Sequence, residues 1–167
     1  MVSDPSSSLE TLAVEHDRCV FLGYKNITVG VWMGQADVPA AHAAVRAGQI
    51  MADRHPKGRS YVAFILDGLA GPTPEAAEIL TKVMGQRNTL ACIAYIIEGS
   101  GFWASGLRGL VSNVHRDSRA AGHLKVATSI DSVVEWLSLR HREATGVEVS
   151  QAELGDVLLR ARAFAER

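Results

Sequence analysis

Apolar residues fall in five short runs, 19–24, 27–33, 61–66, 90–97 and 124–128. The stretches between the last four, and the one after the fifth, carry apolar residues at spacings of three and four. Short unbroken runs bounded by turn residues predict strands, and threes and fours predict amphipathic helices. Residues 18–33 read as two strands meeting at a tight turn, Lys25-Asn26. Asp37 is a candidate N-cap for a helix to about Arg54, with Pro39 in its first turn and a small-residue stripe of Ala40, Ala44, Ala47 and Met51.

The run Tyr61 to Leu66 is unbroken, as expected of a strand buried on both faces. Thr73 then caps a second helix whose first residue is Pro74, with Glu75 beside its positive end. Leu90 to Ile97 is the most apolar strand and is predicted to be central. A helix starting at Gly101, a strand 124–128 and a helix capped by Thr128 or Ser129 follow. A capping box, Ser150 with Glu153, opens a last helix over 150–166.

Alternation of strand and helix requires crossover connections, so the expected fold is α/β: a five-stranded, mainly parallel sheet with an N-terminal hairpin and an extra C-terminal helix. Residues 1–17 are expected to form a flexible tail, 18–144 the α/β domain and 145–167 the added helix. Four helices, starting at Asp37, Thr73, Gly101 and Thr128, suffice to cover such a sheet. The stripe Leu154, Val157, Leu158, Ala161 and Phe164 therefore looks surplus, and self-association or a partner protein is one expected use, docking within the chain the other.

Composition narrows the function classes. The chain has 167 residues, is 47% hydrophobic and carries a formal charge of −1. That fits one ordered domain and gives no field drawing it to nucleic acid. No apolar run approaches the ~20 residues of a membrane span. The start, Met1 to Ser8, lacks the basic and apolar regions of a signal peptide and reads as a frayed tail. Cys19 and Cys92 lie inside apolar runs and read as buried free thiols, which points to a reducing, cytoplasmic compartment.

The order of elements, with GSGFWASGLRGLVSN at 99–113 and LKVATSIDSVVEWL at 124–137, resembles the STAS fold of anti-sigma-factor antagonists, in an uncharacterised bacterial branch. The resemblance spans about residues 18–143. It implies a non-enzymatic, regulatory protein-interaction domain. In signalling members of that family a serine at the start of the second helix is phosphorylated, in an Asp-Ser-Ser-Gly-like loop. Here the loop reads Leu69-Ala70-Gly71-Pro72-Thr73-Pro74-Glu75, and Thr73 is the one hydroxyl at a comparable place. It is the candidate phosphoacceptor, although an N-cap role already explains it.

The alternative is a small-ligand domain, for an apolar molecule or a nucleotide, with its site at the 67–73 and 99–104 loops. Candidate residues there, for ligand or partner, are Asp67, Gly99, Ser100, Phe102 and Trp103. Gly99 to Ala104 matches G-x-G-x-x-A after a strand, but bulky Phe102 and Trp103 stand where a cofactor would approach. Arg108, His115 and Arg119 form a candidate basic strip for an anionic partner, against the default of a solvated helix face. The six histidines show no metal-ligand spacing and no nucleophile elbow is present, so no catalytic residue, metal or cofactor is assigned.

Overall fold

A computed structural model describes residues 8–85, 90–99, 104, 108 and 123–167. The described strands are β1 (Glu10–Glu15), β2 (Cys19–Tyr24), β3 (Ile27–Trp32), β4 (Arg59–Ile65), β5 (Leu90–Ile97) and β6 (Leu124–Ala127). The described α-helices are α1 (Val38–Arg54), α2 (Pro74–Gly85), α3 (Asp131–Thr145) and α4 (Gln151–Arg162), the last followed by a 3-10 turn, Ala163–Glu166. The α/β class holds.

The sheet has six strands in sequential order, β1 to β6. The first three pair antiparallel, and β3 to β6 run parallel. The parallel pairing expected of the 61–66 and 90–97 runs is present, with Val62 opposite Ala94. The sixth strand, β1, lies in the segment expected to be a flexible tail. Its sequence, ETLAVE, has exposed and half-buried positions only. An edge strand that buries little writes no continuous apolar run, which is why periodicity missed it.

The two faces are covered by different helices. On one, α1 lays Ala40, Ala43 and Ala47 on Cys19, Phe21, Trp32 and Ala63, with Leu80 of α2 beside them. Asp37 caps α1 by accepting from the Ala40 N–H at 3.0 Å. On the other, Val133 and Leu137 of α3 and Leu154, Val157, Leu158 and Ala161 of α4 are buried with Val29, Val62, Phe64, Ala94 and Ile96. The last helix is therefore not surplus. Strands added in one direction with like-handed crossovers send successive helices to the same face. With α1 and α2 on one face, the other is covered by α3 and α4 among the described residues. Of the two uses expected of the stripe, docking within the chain is the one seen: it is core, apart from half-buried Phe164.

The β2–β3 turn ties the second layer down. Lys25 takes a left-handed backbone, φ 49°, a conformation that favours Gly or Asn in such turns. Its ammonium meets Glu153 at 2.7 Å and donates to the Glu148 carbonyl at 3.4 Å. Tyr24 donates its hydroxyl hydrogen to the same Glu153 carboxylate. Lys25 and Tyr24 together hold that carboxyl below its usual range, and burial followed by the bond to Glu153 pushes the Tyr24 phenol up to about 12.

Candidate binding crevice

The parallel strands end at polar or glycine residues, Asp67-Gly68 after β4, Glu98-Gly99 after β5 and Thr128-Ser129 after β6. Open α/β sheets characteristically bind ligands outside these carboxyl ends. On the α3/α4 side of that edge lies an open crevice of about 330 Å³. Phe64 and Ile96 form its floor, and Ile130, Gly155 and Leu159 its apolar walls. Glu98, Thr128, Ser129, Asp131 and Arg162 supply the polar groups.

The polar groups are held in different ways. Arg162 reaches from the last turn of α4 to the end of β5. Its Nε and one terminal nitrogen meet the two Glu98 carboxylate oxygens at 2.5 and 3.1 Å. That carboxylate is the chief reason the Arg162 pKa is raised. The start of α3 has no side-chain bond from its capping residue, Ile130. Ser129 stands in, accepting from the Ser132 N–H at 3.4 Å and sharing a hydrogen bond with its hydroxyl at 2.9 Å. Asp131 is exposed in the first turn, where the helix dipole favours a carboxylate. Leu159 stands at the mouth with 62% of its surface in solvent.

The loops expected to carry the site do meet, on Gly99. This glycine has φ +93°, and a Cβ there would overlap the Asp67 carboxylate. Arg108 closes on the same residue, donating to the Gly99 carbonyl at 2.5 Å and the Ile97 carbonyl at 3.2 Å. It spends its guanidinium on main-chain carbonyls, which differs both from a basic strip for an anionic partner and from a solvated helix face. Neither Asp67 nor Gly99 lines the crevice. Ser100, Phe102, Trp103, His115 and Arg119 lie outside the described residues. Thr73 behaves as a cap: its hydroxyl accepts from the Ala76 N–H at 3.2 Å, and Pro74 opens α2.

At the opposite end of the strands is a cluster that sequence reading missed. Ser60 Oγ lies 2.7 Å from His141 Nδ1, and His141 Nε2 lies 2.8 Å from Asn26 Oδ1. Asn26 Nδ2 donates to the Gly58 carbonyl at 3.1 Å. With Asn26 Oδ1 left as acceptor, the imidazole proton sits on Nε2 and Nδ1 accepts from Ser60. The order hydroxyl, imidazole, amide is that of a nucleophile, a base and its orienter. Its surroundings suit it to holding α3 on the sheet. Ser60 and His141 are fully buried and Asn26 is 3% exposed. Burial, then the nearby Lys25 charge, lowers the His141 pKa to about 4, too low for a base working near neutrality. The signal was available, since Val133, Leu137 and His141 recur at intervals of four on the buried stripe of α3.

Cys19 and Cys92 are free and buried. Burial pushes the Cys19 thiol up to about 12 and raises Cys92 as well. Neither is poised as a thiolate. Among the described residues, no group of three or more His, Cys, Asp or Glu is arranged to hold a metal ion. No helix there is long and apolar enough to cross a membrane. Comparison with known proteins finds no matching family model and no matching curated protein.

Proposed function

We propose that this chain is a STAS-like, non-enzymatic regulatory domain that works by binding another protein at the carboxyl ends of its parallel strands. The observation that carries this reading is the unequal access at the two ends of the sheet. The nucleophile-like cluster of Ser60, His141 and Asn26 is sealed. The crevice at the other end is open, with an apolar floor and an exposed leucine, Leu159, at its mouth. Binding clefts pair an apolar lining with a few polar groups that fix orientation. Such a domain is a cytoplasmic regulator without a well-matched phosphoserine loop: phosphate would be favoured at Thr73, at the start of α2, but that hydroxyl already caps the helix.

Intact-complex mass spectrometry of the protein from its native source tests the reading. A bound protein retained by the native chain and lost from Leu159→Glu, with Glu78→Gln on the exposed face of α2 as a folded control, is the expected result. A chain that carries only a small molecule would favour the second reading, a small-ligand domain. The crevice volume of about 330 Å³ lies at the lower end of the range for such sites.

A further inference from the structure

We infer that the crevice between the end of β5, the start of α3 and the outer face of α4 receives a bulky apolar side chain of the partner together with an adjacent lysine or arginine. This rests on the protein-binding reading above and gives the partner its chemistry. The apolar part follows from the walls. Half-buried Ile130 and Leu159, 62% exposed, offer apolar surface to an incoming side chain, above Phe64 and Ile96, which are each 1% exposed and only close the bottom. A space of about 330 Å³ suits one large side chain better than a helix. Interfaces commonly concentrate their energy in one such anchor seated in a pocket.

Leu159 argues for a partner surface over a free small molecule. It lies 62% in solvent at the mouth, so a ligand filling the crevice alone would leave most of it wet. A protein surface carrying the anchor would cover it as well.

The basic neighbour follows from charge. The described lining has two carboxylates, Glu98 and Asp131, and one guanidinium, Arg162. Arg162 is committed to Glu98 through two contacts, and Glu166 approaches it from the other side at 4.0 Å. Asp131 makes no ion pair among the described residues and stands exposed beside the hydroxyls of Thr128 and Ser129. Among the described residues the rim is thus net acidic. A lysine or arginine beside the anchor can meet Asp131 and both hydroxyls, whereas an acidic neighbour would face repulsion.

Amide and methyl chemical shifts of the full chain, titrated with capped dipeptides, test the inference. N-acetyl-Leu-Lys-amide should shift Glu98, Thr128 to Asp131, Gly155 and Leu159, saturating by about 20 mM, as expected of a millimolar site. N-acetyl-Leu-Glu-amide should bind about fivefold more weakly, a difference on the scale of one exposed charge pair. Asp131→Asn should erase that preference while leaving the leucine-dependent shifts. Absence of shifts at these residues, or equal binding of the two dipeptides, would overturn the inference. So would butylamine alone matching the lysine dipeptide, since the site would then belong to a small amine. If the dipeptides fail while the native complex persists, the chemistry assigned here is wrong and the protein-binding reading stands. If no complex exists, that reading falls whatever the dipeptides do.

Discussion

Arg162 Nε lies 2.5 Å from Glu98 Oε1, which pins the last turn of α4 to the end of β5. Each side chain is 27% exposed, so water screens the pair incompletely. Its two-point geometry fixes orientation as well as distance. A double-mutant cycle with Glu98→Gln and Arg162→Met should give a coupling of about 1 kcal/mol in denaturant unfolding. Additive single effects would show that the pair contributes nothing beyond its separate side chains.

The buried imidazole makes stability depend on pH. In the unfolded chain His141 takes its proton near the ordinary 6.5, and in the folded chain not until about 4. Between those values the unfolded state binds more protons, so stability is fully present above 6.5 and falls as pH drops toward 4. The gap corresponds to about 3 kcal/mol. Glu153, with its lowered carboxyl, adds a loss of the same sign below its ordinary 4.5. Unfolding free energies measured from about pH 7 to about pH 4.5 should decline in the native chain, and much less in His141→Gln. Parallel curves would remove His141 as the cause.

Gly30 permits a close approach. A Cβ there would stand 2.7 Å from the Tyr61 hydroxyl oxygen and 2.8 Å from Phe21 Cε1. Phe21 is itself held edge-on against Trp32, with ring centroids 5.4 Å apart. Phe21, 1% exposed and packed against Trp32, has little room to yield, so Gly30→Ala should cost about 1–3 kcal/mol. Thermal unfolding of the variant beside Gly71→Ala, where nothing lies within 4 Å, separates this crowding from a general effect of adding a methyl group.

Thr73→Ala should lower stability by about 0.5–2 kcal/mol through loss of the α2 cap. Partner binding should be unchanged if Thr73 is only a cap. A folded variant that loses regulation in the cell would instead support its use as a phosphoacceptor.

Deleting 146–167 should unfold the chain. Leu154, Leu158 and Ala161 are completely buried and Val157 is 1% exposed, so the truncation uncovers the part of that face which α3 leaves to α4. Leu158→Ala alone should cost about 2–5 kcal/mol. A truncated protein that keeps its near-UV circular dichroism and its unfolding midpoint would contradict the packing described for α4.

Much of this architecture was legible because burial on both faces leaves an unmistakable trace. The runs of β2 to β5 are nearly all apolar, and Asp37, Thr73 and Ser150 mark helix starts by chemistry that needs no tertiary context. The misses share a cause. In β1 only some positions are covered, and which helix lies on which face depends on crossover direction, a property of the assembled sheet. The site was legible only as an edge. That the crevice opens beside Ile130 and Leu159 follows from where α4 comes to rest. Likewise Asn26 reads as a turn residue until the fold brings His141 against it.

The β2–β3 turn bears on how the chain matures during synthesis. Tyr24 is bonded to a carboxylate 129 positions later, and Asn26 to an imidazole 115 positions later. A nascent chain that has completed its sheet still lacks the helices that cover Val29, Val62 and Ile96. That surface stays sticky until α4 has left the ribosome. Contacts so distant in sequence slow folding, and an uncovered apolar face invites aggregation. The protein is therefore expected to depend on chaperone protection between completion of the sheet and emergence of α4, with the interval set by the rate of translation across residues 128–162.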